Sequence, residues 1–198
     1  MTKAERRRGA ELEEAVLDAA WTELAEFGYT GFTLEGVAKR AGTSRPVLAR
    51  RWPSRIALAT AAMAHYIADN PISVPDLKSV RDEFAYLLRQ WSNRGVPLLL
   101  RLFLEMNAEL SKNDCSFASV REEIRRRVAS KDLVAQILER GIARGEIDGK
   151  RITPRIASLP ADLMRHEAIM TSKPISDPVI AEILDEIFLP LVTAQRQQ

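Results

Sequence analysis

Hydrophobic residues recur along this chain at intervals of three and four, the period of an amphipathic helix, and no stretch alternates with the period of two that marks a strand. Leu12, Ala15, Val16, Ala19, Ala20, Leu24 and Phe27 share one face and predict a helix over residues 10–27 that Gly28 stops. A short second helix is predicted between an N-cap at Thr33 and a stop at Gly42. Leu34, Val37, Ala38 and Ala41 face inward, and Glu35 sits near the positive helix end. A third begins after Thr43 or Ser44 and runs through Arg51. Pro46 is tolerated in its first turn because those amides have no intrahelical partner. Trp52-Pro53-Ser54 breaks the chain before a fourth helix over 56–68, which is apolar on nearly every face and is expected to be buried. Further helices are predicted at about 76–93, 97–112, 117–143, 154–170 and 178–195, with Pro160 and Pro190 expected to kink or shorten the last two.

Composition sharpens this to an all-α chain. Gly 9 and Pro 10 are few for 198 residues, while 26 Ala and 22 Leu are strong helix formers. The length suits a small module joined to a larger one, expected at residues 1–55 and 56–198. The single cysteine, Cys115, forms no intramolecular disulfide, and the first residues lack the apolar run of a secretory signal, so a cytoplasmic location is expected. The longest charge-free stretch falls well short of the roughly 20 apolar residues that span a bilayer.

The net charge of +2 hides a division along the chain. Seven acids lie between Glu11 and Glu35, whereas residues 36–68 hold six Lys or Arg and no Asp or Glu. A solvated basic face satisfies that pattern as well as a polyanion-binding surface does. The basic stretch, however, falls on the second of two short helices joined by Ala41-Gly42-Thr43-Ser44. That spacing is the spacing of a helix-turn-helix, whose second helix requires positive charge and hydroxyl donors.

The segment from Phe32 through Arg55 resembles the DNA-binding module of the TetR family of bacterial transcriptional regulators. The resemblance covers roughly residues 10–60: the Phe27-Gly28-Tyr29 helix end, the Thr33 cap, Val37-Ala38, the Ala41-Gly42 turn and the aromatic-Pro-Ser-basic exit at Trp52 to Arg55. Beyond residue 70 only the helix count and the Arg144-Gly145-Glu146-Ile147-Asp148 element look like the family's variable C-terminal domain. One departure is Ala49, where many members carry a tyrosine.

The resemblance implies an N-terminal three-helix helix-turn-helix module, a larger helical C-terminal domain and a homodimer on a palindromic double-stranded operator. It further implies a repressor released by a small hydrophobic effector. The helix from Thr43 is assigned to the major groove, with Ser44, Arg45, Pro46 and Val47 nearest the bases and Thr33, Arg50, Arg51, Trp52 and Arg55 nearer phosphates. Arg6, Arg7 and Arg8 form either a minor-groove arm or a disordered basic tail.

In the last helix, Val179, Ile180, Ile183, Leu184, Ile187, Phe188, Leu191 and Val192 make a stripe wider than one neighbour requires, so this helix and Leu163 of the preceding one are expected at a dimer interface. Phe84, Leu88, Trp91, Leu102, Phe103, Met106 and Phe117 are candidate linings of an effector cavity, with Asn107 and His166 as polar anchors, although packed core accounts for the same residues.

An enzyme is disfavoured. Two histidines and one cysteine form no His/Cys metal cluster, no GxGxxG or Walker sequence occurs, and Glu122-Glu123 and Asp185-Glu186 read as solvated faces. No cofactor or metal is expected. The rival reading is a non-catalytic helical protein that binds RNA or an anionic membrane surface through the basic module.

Overall fold

The computed structural model describes residues 9–93, 96–113, 115–128 and 132–193. Their regular structure is helical: α1 (Ala10–Gly31), α2 (Leu34–Arg40), α3 (Arg45–Arg51), α4 (Arg55–Asp69), α5 (Val80–Asn93), α6 (Val96–Lys112), α7 (Phe117–Val128), α8 (Leu133–Ala143), α9 (Pro154–Thr171), α10 (Asp177–Ala181) and α11 (Leu189–Val192). A 3-10 turn covers Gly149–Arg151, a π-helical stretch at Glu182–Phe188 joins α10 to α11, and one isolated bridge pairs Ile147 with Thr193. The chain is all-α, as its periodicity predicts.

Two predicted helices differ in form. The single helix expected over 117–143 is two, α7 and α8. The Asp132 carboxylate accepts the Ala135 N–H at 3.1 Å and starts α8 afresh. Spacing alone runs the two together because the apolar intervals on both sides of the break are helical. The helix expected over 178–195 changes register in its middle. The Leu189 N–H reaches back five residues to the Leu184 carbonyl, just before Pro190, which has no N–H to give and whose ring would crowd the carbonyl four residues back. Pro160, by contrast, sits inside an α9 that continues through it.

The helices pack into two compact units that no single cut along the sequence separates. The first holds α1 to α4, α6 from Arg101 onward and α7; the second holds α5, the start of α6 and the chain from α8 on.

In the first unit α4 packs against both α1 and α7. Its all-round apolar character follows, with Leu58, Ala59, Ala61, Ala62, Met63 and Ala64 all buried, and its alanines let both neighbours approach closely.

The core of the second unit joins Phe84, Leu87 and Leu88 of α5 to Ile137, Met164, Leu184 and Phe188, with the Phe84 and Phe188 rings edge-on at 4.8 Å. The same unit buries one full charge. Glu83 is entirely shielded from solvent and ion-pairs with Arg140 at 2.8 Å and Arg144 at 3.2 Å. On its surface, hydrogen bonds from Arg81 hold the Asp185 carboxyl below its ordinary 3.8. A depressed value means that this pair helps the fold above the ordinary carboxylate range and that its help fades as pH falls through the folded value.

Glu83→Ala is expected to lower the unfolding free energy by about 3 kcal/mol, the low end for breaking a buried pair, because both guanidinium groups keep some exposure. Asp185→Asn, on a half-exposed pair, should stay within about 1 kcal/mol. Urea denaturation of the two variants side by side measures the difference.

Candidate nucleic-acid interface

The turn between α2 and α3 is built by local chemistry. The Thr33 hydroxyl accepts the Gly36 N–H at 3.0 Å and caps α2, with Glu35 in the first turn. At the other end Gly42 takes φ 67°, so that the Thr43 N–H reaches the Ala38 carbonyl at 2.9 Å and the Gly42 N–H reaches Lys39 at 3.3 Å. This paired closure requires a left-handed residue directly after the helix cap. Ser44 then opens α3, and Pro46 occupies its first turn.

α3 is anchored by Leu48, which is fully buried, and Val47 is half-buried beside it. Ser44, Arg45, Pro46, Ala49 and Arg50 are exposed, and the Ser44 hydroxyl makes no capping bond. This outward surface carries hydroxyl and guanidinium donors and no acid.

The basic residues of the segment sort into three groups. Arg50 and Lys39 are exposed and form no ion pair among the described residues. Arg45 and Arg51 are themselves exposed and paired, Arg45 with the exposed Glu35 at 3.1 Å and Arg51 with the half-buried Glu13 of α1. Such exposed pairs contribute only about 0.2–1 kcal/mol and give way readily to a polyanion.

Arg40 and Arg55 are structural. Arg40 bonds Glu26 at 2.6 Å and Glu23 at 2.9 Å, tying α2 to α1, and these carboxylates push its pKa further up. Arg55 donates to Glu109 of α6 at 2.6 Å and to the Phe32 carbonyl at 3.2 Å, with its guanidinium 4.3 Å from the Tyr29 ring centre. Arg55, expected near phosphates, has its donors engaged inside the unit. Trp52, likewise expected near phosphates, is only 6% exposed and its ring belongs to the core.

Two α6 carboxylates escaped the sequence reading. Gly28 takes φ 66°, and the turn this makes at the end of α1 presents the Tyr29 N–H to Glu105 Oε2 at 2.5 Å and the Thr30 N–H at 3.2 Å. One helical turn along α6, Glu109 holds Arg55. Burial pushes the Tyr29 pKa upward, and the Glu109 carboxylate adds to the rise, so its hydroxyl remains neutral. The Glu105–Glu109 spacing of four is visible in the sequence, but its partners lie more than 50 residues away.

The remaining candidates separate. Arg6, Arg7 and Arg8 lie outside the described residues. Phe84 and Leu88 belong to the core of the second unit, with Trp91 packed against it and His166 exposed on α9. Leu102 and Met106 are fully buried residues of the first unit, where Phe103 and the exposed Phe117 meet edge-on at 6.1 Å and Asn107 is exposed. The candidate effector lining is thus divided, and its four most buried members are packed core.

Of the expected dimer residues, Ile180, Ile183, Leu184 and Phe188 are covered by their own chain and Leu163 is half-buried, which leaves Ile187 and Leu191 exposed. Four of these residues are corrected to core because the stripe spends most of its width within its own unit.

Residues 16–62 match the family described as bacterial regulatory proteins of the tetR family, and residues 74–187 match the tetracyclin repressor-like C-terminal domain. The HTH-type transcriptional regulator AqdR of Rhodococcus erythropolis is 32% identical over 71% of this chain and 66% of its own. A DNA-binding transcriptional repressor, TetR, of Mycobacteroides abscessus is 24% identical over 93% of this chain and 96% of its own. The solved structure of the flavonoid-responsive regulator FrrA superposes with a TM-score of 0.59 at 18% identity, covering 95% of this chain and all of that one.

The turn itself supplies a test of local stability. A Cβ at Gly42 would meet no atom within 4 Å, so Gly42→Ala costs only the left-handed backbone, about 1 kcal/mol. A thermal melt followed by circular dichroism should show that loss without a change in helix content.

Proposed function

The chain belongs to the TetR family of DNA-binding transcriptional regulators, and from that premise we propose that it is a repressor that binds a palindromic operator as a homodimer and is released by a small hydrophobic effector. It acts by binding and not by catalysis. The observation that carries the DNA-binding reading is the outward surface of α3: Ser44, Arg45, Pro46 and Arg50 exposed together without an acid on the helix, Arg50 in no ion pair among the described residues, and Arg45 paired with an exposed carboxylate. Arg45 and Ser44 read base edges. Arg50 and Lys39 meet phosphates, joined by Thr33, whose capping oxygen leaves its O–H free to donate, and by Arg51 once Glu13 lets go. In this reading residues 1–55 bind DNA, and the rest carries dimerisation and effector control. The repressor sense takes support from the Mycobacteroides abscessus relative, named a repressor, and effector release from the flavonoid-responsive FrrA. Among the candidate aromatics, Phe103 and Phe117 of the first unit, half-buried and exposed, are the ones within reach of such a ligand.

The dimer rests on Ile187 and Leu191, two exposed apolar side chains one turn apart, with Ile169 and Met170 also exposed on the adjacent α9. One short α3 reads only a few base pairs, and two-fold symmetry doubles its contacts.

Duplexes selected from a random pool should be bound in preference to single-stranded RNA and anionic vesicles at moderate salt; equal binding of all three would remove the operator reading. With the selected duplex, Arg50→Ala should weaken every sequence alike and flatten the salt slope by about one unit, and Arg45→Ala should cost about 1–3 kcal/mol and relax specificity at one position. Both are read from fluorescence anisotropy titrations over a salt series.

Ile187→Glu with Leu191→Glu is expected to give a folded monomer by light scattering. A double variant that stays dimeric would move the interface to another face.

A further inference from the structure

Within the first unit, α4 and α1 bring three potential metal ligands to one point. His65 and Asp69 stand one turn apart on α4, and Asp18 comes from α1. His65 Nε2 lies 3.0 Å from Asp18 Oδ1 and 3.1 Å from Asp69 Oδ2, and one ligand atom from each residue lies within 4.8 Å of the others. A ring nitrogen carries at most one hydrogen, so it cannot give each carboxylate a full bond. A cation about 2.0–2.2 Å from each donor engages all three at once, because ligands at right angles at that range stand about 3 Å apart.

Exposure divides the three in the way a solvent-fed site requires. The His65 side chain is 17% exposed and fixed against the protein, whereas the Asp18 and Asp69 side chains are 65% and 57% exposed and free to adjust. The Trp21 and Tyr66 rings stack at 3.9 Å and set the register of α1 on α4 beside the triad. Glu11 and Glu14 line an open groove with Asp18 and Arg40, so two further carboxylates and one guanidinium stand beside the Asp18 edge of the triad.

We propose that Asp18, His65 and Asp69 bind a divalent first-row transition cation, with the remaining coordination positions held by water, and that the ion clamps α1 to α4. One imidazole with two carboxylates is a donor set for ions such as Zn²⁺, Co²⁺ or Mn²⁺, and the nitrogen disfavours Mg²⁺ and Ca²⁺. The site is a property of the α1–α4 pair, and it stands or falls without reference to DNA.

Co²⁺ titrated into the full chain should give saturable visible d–d absorption at one equivalent and raise the thermal midpoint, and Zn²⁺ should bleach the absorption by displacement. Asp69→Asn, a change at an exposed side chain, and His65→Gln should each weaken binding at least about tenfold, while Glu14→Gln, which alters only the acidic groove, should leave it within about threefold. Far-UV circular dichroism without metal confirms that each variant is folded. Absence of the Co²⁺ bands, equal displacement by Mg²⁺ and Zn²⁺, or unchanged binding by Asp69→Asn and His65→Gln would each overturn the site.

Discussion

The first unit depends on a turn that only a glycine makes without strain. At φ 66° Gly28 swings the chain at the end of α1 so that consecutive backbone N–H groups, those of Tyr29 and Thr30, converge on one Glu105 oxygen. A Cβ at Gly28 would stand 2.6 Å from that oxygen, so a side chain there would both strain the backbone and expel the acceptor. Hydrogen bonds to a charged acceptor contribute about 1.5–3 kcal/mol each, and the alternative is a buried amide left unpaired. Glu109 completes the grip through Arg55, whose other donor holds the Phe32 carbonyl just before α2. Two carboxylates on one face of α6 thereby secure the end of α1 and the start of α4, the two elements that flank α2 and α3. Residues of α6 before Arg101 belong to the second unit, so the grip is made by the part of α6 that lies in the first.

What was legible in the sequence is what local chemistry decides. The four N-terminal helices, the Thr33 cap and the stop at Gly42 depend on a few neighbouring residues and are found where spacing and residue type put them, while at Gly28 the helix is broken as expected but resumes to Gly31. The break before α8 was hidden because a cap at Asp132 is one residue, whereas the apolar period that argues for continuity is many. The roles of Arg55 and Trp52 were not legible for a different reason. A basic residue after a recognition helix looks the same in sequence whether it faces a phosphate or a carboxylate, and the carboxylate lies 54 positions away. The apolar stripe around Ile183 was misassigned because width of stripe counts partners without saying which chain supplies them; α5 and α9 of the same chain cover most of it.

The division of labour among the cations follows from burial more than from charge. Arg40 faces Glu23, only 10% of whose side chain is exposed, and Arg55 and Glu109 are each about one-third exposed, so a phosphate offered outside competes with partners that water reaches poorly. Arg45 and Glu35 are 64% exposed, and their attraction is already screened. Counterion release from a duplex outweighs a pair of that kind more readily than it repays the dismantling of the better shielded ones. A segment with six cations and no acid therefore offers a polyanion fewer contacts than its composition implies.

The acids missing from that segment reside largely on α1, and they are spaced to reach every other helix of the module. Glu13 meets Arg51 of α3, Asp18 meets His65 of α4, and Glu23 with Glu26 meets Arg40 of α2. α1 is thus the counter-charge of the whole head, carrying six of the seven acids between Glu11 and Glu35, with none following until Asp69. Three of these four partnerships end on guanidinium groups, which are always charged and ligate no metal. The Asp18 partnership alone among the four ends on an imidazole, whose nitrogen is a metal ligand, and it alone gains a second carboxylate from the facing helix. The contact between α1 and α4 is accordingly the one in this set whose strength a small inorganic ligand can change, while the contacts that position α2 and α3 stay fixed.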